Sequence, residues 1–472
     1  MPNGPRWRRI PPRVAGLIGL ASGVAFHAAP ARAQVDTVRA NAWFAEAATL
    51  CEREGGRLWG VSLCGPMVFA DAATHTLATN QPPPDADWPA ILGYVNAPLE
   101  WDGTRWSTYV WSMVPAADEQ VRGRLLIHEL FHRVQPDLGL LAMGASNDHL
   151  DSLEGRYWLR LEWRALARAL RTSDVERLDA IRDALAFRQT RRRTFDGVAD
   201  SERADEIREG LAQYTGTVVA AASTEAAIAD ALNQLSDAEA TPTFVRTFAY
   251  ASGAAYGLLL DAYDPGWTRR LQPSDDLGAL LSAASGVGPA ADPGMAADRY
   301  GAPALRAAEV KRDEEQKARV ADLRRRFVES PVLIVPRGRG AMLMTTGATP
   351  IPGEGTVFFQ YRVSAEWGSL ESTGILVGED GTLRLPLPYR VDRDTLRGDG
   401  WSLSLAPGWL VRPGERAGDS RVVKQDSGQV LDLPPRPSGA PGCSGIARDV
   451  RALDLEAREA RIRTPENGLR RT

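Results

Sequence analysis

The chain has 472 residues, 44% hydrophobic and 25% charged, with 56 Lys and Arg against 60 Asp and Glu. That composition excludes a disordered chain, and the length allows more than one domain with a sizeable core. The acidic balance argues against a nucleic-acid partner.

Residues 1–33 read as a secretory signal peptide. Arg6, Arg8, Arg9 and Arg13 precede an apolar run from Val14 to Phe26, and Ala31-Arg32-Ala33 supplies small residues for cleavage. Its removal leaves 51 basic against 60 acidic side chains, a net of −9, and implies an exported protein, periplasmic or extracellular. The Arg8-Arg9 pair leaves the export route open. No later stretch approaches the ~18 apolar residues of a membrane span. Export also permits a Cys51–Cys64 disulfide, with Cys443 left as an odd thiol in a Pro/Gly-rich tail.

Val38 to Glu54 has helical periodicity. Leu58 to Ala70 and Thr74 to Thr79 read as strands, and Ile91 to Trp101 and Thr104 to Val114 flank Asp102-Gly103, a dipeptide suited to a tight hairpin. The expectation is four antiparallel strands. Trp106 to Val114 is the candidate edge along which an extended peptide could pair; an interior strand with no ligand role fits the same residues.

The next segment, Leu125 to His132, contains H-E-x-x-H within a helical pattern. Residues four apart share a helix face, so His128 and His132 can offer two imidazole nitrogens to one metal ion. Glu129 then stands where a base takes a proton from bound water. Leu126, Ile127, Leu130 and Val134 fall on the opposite side of the wheel, which counts against two core histidines. Pro136 closes the helix.

Beyond it the pattern turns helical. Leu153 to Arg171 and Val175 to Arg191 form a helical hairpin broken at Thr172-Ser173-Asp174, and a further helix runs from about Glu202 to Ala221. On a wheel Asp205, Glu209, Ala212, Gly216 and Ala220 share one side. A carboxylate on a strip of small residues can approach another helix closely, which makes Glu209 the best third ligand. Two histidines and a glutamate leave zinc a position open for water.

These residues resemble the gluzincin metallopeptidases, in which H-E-x-x-H is completed by a glutamate on a later helix. In aminopeptidase-type members that helix reads N-E-G-x-A, and Glu209-Gly210-Leu211-Ala212 is similar to it, with Arg208 in place of the asparagine. The resemblance covers about Ile91 to Tyr263. It implies a zincin-like lobe binding Zn2+ through His128, His132 and Glu209, with Glu129 as general base and a peptide or protein as substrate. The 76 residues between His132 and Glu209 leave room for the helical hairpin as an insertion. By spacing, Asp151, Glu154 and Glu162 stay open as third ligands. The metzincin extension is absent, because Gln135 and Leu138 stand where that pattern needs glycine and histidine.

An oxyanion also needs a donor besides the metal. The helix Val245 to Tyr263 offers Tyr250 and Tyr256; Tyr214 and His149 are weaker candidates, and each tyrosine also fits a core role.

Pro289 to Pro303 reads as a linker, and Ala304 to Phe327 as a charged helix with a solvated face. Short β-type runs follow at Val332 to Val335, Thr356 to Val363, Gly374 to Val377, Thr382 to Leu387 and Trp401 to Leu405. The expected organisation is α+β. A metallopeptidase domain spans 34–290, a linker and charged helix 291–330, and a β-rich module 331–430 that could dock a protein partner. A Pro/Gly-rich segment and terminal helix occupy 431–472. The rival readings are a catalytically inactive zincin-like binding protein and a structural envelope protein with a fortuitous H-E-x-x-H.

Overall fold

The computed structural model describes residues 34–425 except 143, 145, 339 and 340. The signal-peptide reading, Cys443 and the terminal helix lie outside the described residues. Helix α1 (Thr37–Glu54) starts on Asp36, whose carboxylate accepts from the Arg39 N–H, and stops at Gly55 in the left-handed conformation. Its end is tied to the next segment by the Cys51–Cys64 disulfide.

Four strands follow: β1 (Met67–Asp71), β2 (Thr76–Thr79), β3 (Ala97–Trp101) and β4 (Thr104–Val110). Their order is β2-β1-β4-β3. The sheet corrects the sequence reading in two respects. Strands β1 and β4 run parallel, with Met67 opposite Ser107 and Ala70 opposite Val110, so the sheet is mixed. Strand β4 is also interior, flanked by β1 and β3, and the edge beside it is β3. Period-two patterning assigns a residue to a face but says nothing of which neighbour a strand takes.

Helix α2 (Glu119–Val134), capped by Asp118, lies along β4. The hydroxyls of Tyr109 and Ser107 donate to the carbonyls of Leu126 and Glu129 at 2.7 and 3.0 Å. The face of Leu126, Ile127 and Leu130 is fully buried, as the wheel requires.

The helical bundle comprises α3 (Leu153–Arg171), α4 (Asp174–Thr194), α5 (Val198–Asp205), α6 (Leu211–Ala220), α7 (Thr224–Glu239), α8 (Phe248–Tyr263), α9 (Leu277–Ser285), α10 (Pro293–Asp298) and α11 (Ala302–Arg324). Between α5 and α6 the backbone does not break but widens into a π turn, Glu206–Gly210. The single helix expected from Glu202 to Ala221 therefore carries one residue too many for a regular wheel. The Pro289–Pro303 stretch is also not a free linker. Ala296, Ala297 and Tyr300 join the core of the bundle, and the Tyr300 hydroxyl donates to Asp183 at 2.7 Å. Nor is α11 solvated all round: Glu309 is buried and accepts from Arg156, Arg160 and Arg312.

The C-terminal part is a curled β half-barrel, and the whole is α+β. Its strands are β5 (Val332–Val335), β6 (Ala341–Ile351), β7 (Gly355–Ala365), β8 (Gly368–Ser372), β9 (Ile375–Gly378), β10 (Leu383–Pro386), β11 (Tyr389–Asp392), β12 (Thr395–Gly398), β13 (Trp401–Leu405), β14 (Trp409–Pro413) and β15 (Ser420–Lys424). The order is β11-β12-β13-β8-β7-β9-β10-β5-β15-β14, with β6 paired to β7. Trp367, Leu370, Leu385 and Leu403 form its own core.

Candidate metal centre

Helix α2 supplies His128 and His132 one turn apart, and the π turn supplies Glu209 opposite them. The three offer one ligand atom each, all within 4.8 Å of one another. The two Nε2 atoms are 3.0 Å apart, and Glu209 Oε2 lies 3.5 Å from that of His128 and 3.2 Å from that of His132. The small residues beside Glu209 make this approach possible. A Cβ at Gly216 would collide with the Arg124 carbonyl of α2, and one at Gly253 of α8 would collide with the backbone of Gly210.

The second contact brings Tyr250 into the group. Its hydroxyl donates to Glu209 Oε2 at 2.8 Å, and its ring lies parallel to that of His128 with centroids 5.4 Å apart. Burial, and next the Glu209 charge, push its phenol far above the usual range, so it keeps its proton as a donor.

The outer nitrogens of both histidines are engaged. His128 Nδ1 faces Gln213 Oε1 at 3.0 Å, and His132 Nδ1 faces Gln135 Oε1 at 2.8 Å. A neutral ring that donates from Nδ1 keeps a bare lone pair on Nε2. With both rings in that tautomer, two lone pairs and a carboxylate converge without a proton between them, an arrangement that a cation resolves. Burial opposes the Glu209 charge, but the two adjacent histidines outweigh it and hold the carboxyl far below its usual range. Burial likewise lowers His132, and the Glu209 and Glu129 carboxylates more than reverse it. The donor set of two imidazoles and one carboxylate could hold a metal ion.

Glu129 sits beside this group, 5% exposed. Its Oε2 has no hydrogen-bond partner among the described residues, and burial, ahead of the opposing effects of the two histidines, raises its pKa. An unpartnered carboxylate in such a place is poised to accept a proton.

The other candidates are held elsewhere. Tyr256 is not part of the group: its hydroxyl donates to Glu162 Oε1 at 2.7 Å in the bundle interior. Glu162 itself is paired with Arg191 and Arg188. Asp151 accepts the Phe244 N–H at 2.7 Å, Glu154 pairs with Arg306, and His149 faces Glu202 at 2.8 Å. The Tyr214 hydroxyl donates to Asp261, also at 2.8 Å. Gln135 and Gln213 were not singled out as functional from sequence. Gln213 lies one turn after Glu209 and Gln135 three residues after His132, so i+3 and i+4 spacing was the available signal.

Against this geometry, no known protein family, curated protein or solved structure matches the chain.

Proposed function

We propose that the protein is an exported zinc-dependent peptidase whose site is His128, His132, Glu209 and Glu129. The observation that carries this reading is the convergence of three potential ligand atoms on one point beside the buried Glu129, whose Oε2 has no hydrogen-bond partner among the described residues. Imidazole with carboxylate suits zinc, and three protein ligands leave a position for water or substrate. The Cys51–Cys64 bridge supports an oxidising compartment.

A bound zinc ion would supply Lewis acidity, lowering the pKa of water and polarising the scissile carbonyl. The chain supplies the rest. Glu129 takes the proton from the attacking water and returns it to the leaving amine. The phenol of Tyr250 is a donor placed to stabilise negative charge developing at the carbonyl oxygen. Edge strand β3, next to β4 and therefore close to α2, offers backbone groups to an extended substrate.

A second reading, a zincin-like protein that binds metal without catalysis, is favoured by the near-closure of the site: His128 and Glu129 are 4% and 5% exposed. Incubation of the zinc-loaded chain and its Glu129→Gln variant with a random peptide library separates the two. The peptidase reading expects cleavage by the first and none by the second. A zinc-loaded wild-type chain that leaves the library intact contradicts it.

A further inference from the structure

Each ligand histidine is held by a glutamine whose own orientation is dictated by groups that only accept. Gln135 places its amide nitrogen 2.8 Å from the Ile207 carbonyl and 3.1 Å from that of Arg208. A carbonyl has no proton to give, so the amide atom there must be NH2. The amide oxygen is thereby turned toward His132 Nδ1, and can only accept from it.

The His128 side is longer but has the same logic. Gln234 Nε2 lies 2.9 Å from Asp230 Oδ2 and 2.9 Å from Thr217 Oγ1, and Asp230 is also paired with Arg124. The carboxylate fixes the Gln234 amide with its oxygen outward, where it accepts from Gln213 Nε2 at 2.7 Å. Gln213 in turn directs its oxygen at His128 Nδ1. Every link follows from the one before, and the chain starts at an acceptor two residues removed from the histidine.

We propose that two amide relays, Gln135 on the π-turn carbonyls and Gln213–Gln234 on Asp230, lock His132 and His128 as Nδ1–H tautomers and preorganise both Nε2 atoms for a metal. The inference rests on the metal-centre reading above and makes Gln135, Gln213 and Gln234 positioning residues. The π turn is part of the device. It sends the Leu211 N–H to Glu206 rather than to Ile207, and the Ile207 carbonyl takes the Gln135 amide instead. One side chain thus fixes the ring of His132 and the turn that carries Glu209. Because amides are neutral, the relays orient the rings without adding charge to the site.

The test reads tautomers and affinity, not turnover. Long-range 15N–1H correlation spectra of the metal-free full chain, at a pH high enough that the 15N shifts show both rings neutral, should show bare Nε2 and protonated Nδ1 on both rings. Gln135→Met and Gln213→Met keep side-chain volume and remove the bonds; each should weaken zinc binding by about 10–100-fold. Gln234→Met touches neither histidine nor ligand. It should release the His128 tautomer alone and cost about threefold or more in zinc affinity, one amide removed from the ring. Protonated Nε2 on either ring of the wild-type chain overturns the proposal without recourse to any variant. So does a folded Gln234→Met chain with unchanged spectrum and affinity. A chain that shows both tautomers and binds zinc but cleaves no peptide supports the relays and contradicts only the peptidase reading.

Discussion

Two clusters of ionisable groups lie within one turn of each other along the α5–α6 helix, and they are built on opposite principles. The interior cluster joins Glu162, Glu202, Glu206 and Asp276 to Arg188, Arg191 and Arg192, with His149 on Glu202. Each carboxylate there meets at least one guanidinium. Three residues beyond Glu206, Glu209 turns Oε2 to two imidazoles and a phenol and meets the Arg208 guanidinium through Oε1 at 3.3 Å, while Glu129 beside it has no hydrogen-bond partner for Oε2 among the described residues. Burial of a carboxylate therefore does not distinguish the clusters, since both are buried. What distinguishes them is what the carboxylate oxygens face: guanidinium groups throughout the first cluster, imidazole nitrogens and a phenol at Glu209 Oε2 in the second. In the first the acids hold helices together; in the second the donor set could hold a metal ion.

That contrast fixes which substitutions strike chemistry and which strike stability. Glu129→Gln should keep the metal and lower peptide hydrolysis by about 10²–10⁴-fold, the range for a general base, measured as initial rates on a cleaved library member. Glu209→Ala should weaken metal binding by more than the ~10–100-fold expected of an outer partner, with little change in thermal midpoint. Glu162→Ala should do the reverse. It removes one of the two carboxylates that hold the buried Arg191, Glu202 being the other, and should cost about 1–3 kcal/mol in denaturant unfolding, while zinc affinity holds. A reversed order would reassign the third ligand.

Acid should divide the clusters as well. In Glu202 burial is outweighed by Arg191, and in Asp276 by Arg188 and Arg192, so both carboxyls lie well below their usual range. A depressed folded-state pKa gives stability that is complete above the unfolded value of about 4 and is lost as pH falls below it. Glu206, raised by burial despite Arg188, works in the other direction and blunts the loss. Metal release should come earlier, because protons compete with the ion for its ligands, so a pH titration followed by metal content and circular dichroism should give two separate transitions. The smallest contrast is between the two tyrosines. Tyr256→Phe should cost about 1–2 kcal/mol of stability through Glu162 and leave metal affinity alone, whereas Tyr250→Phe should lower activity.

Much of the centre was legible because it is local. The i, i+4 spacing put His128 and His132 on one face, the small strip around Glu209 marked a helix able to come close, and the Cys51–Cys64 pairing followed from the expectation of export. The remainder depends on tertiary neighbours that local pattern does not encode. Strand β4 pairs in parallel with β1, thirty-odd residues earlier. Tyr250 and Tyr256 lie on one helix with the same local signal, yet only the close contact of Gly253 with Gly210 sets the first on Glu209. The π turn breaks the regular wheel by one residue and frees the carbonyl that Gln135 uses, a role no spacing rule assigns. Strands β6, β8, β11, β12, β14 and β15 of the half-barrel also went unread; all but β6 are only four or five residues long.

The most direct test of the account is the metal content of the purified chain, by elemental mass spectrometry beside His132→Ala. The account predicts near-stoichiometric zinc in the wild type and its loss in the variant. Absence of zinc from the wild-type chain after reconstitution would contradict it.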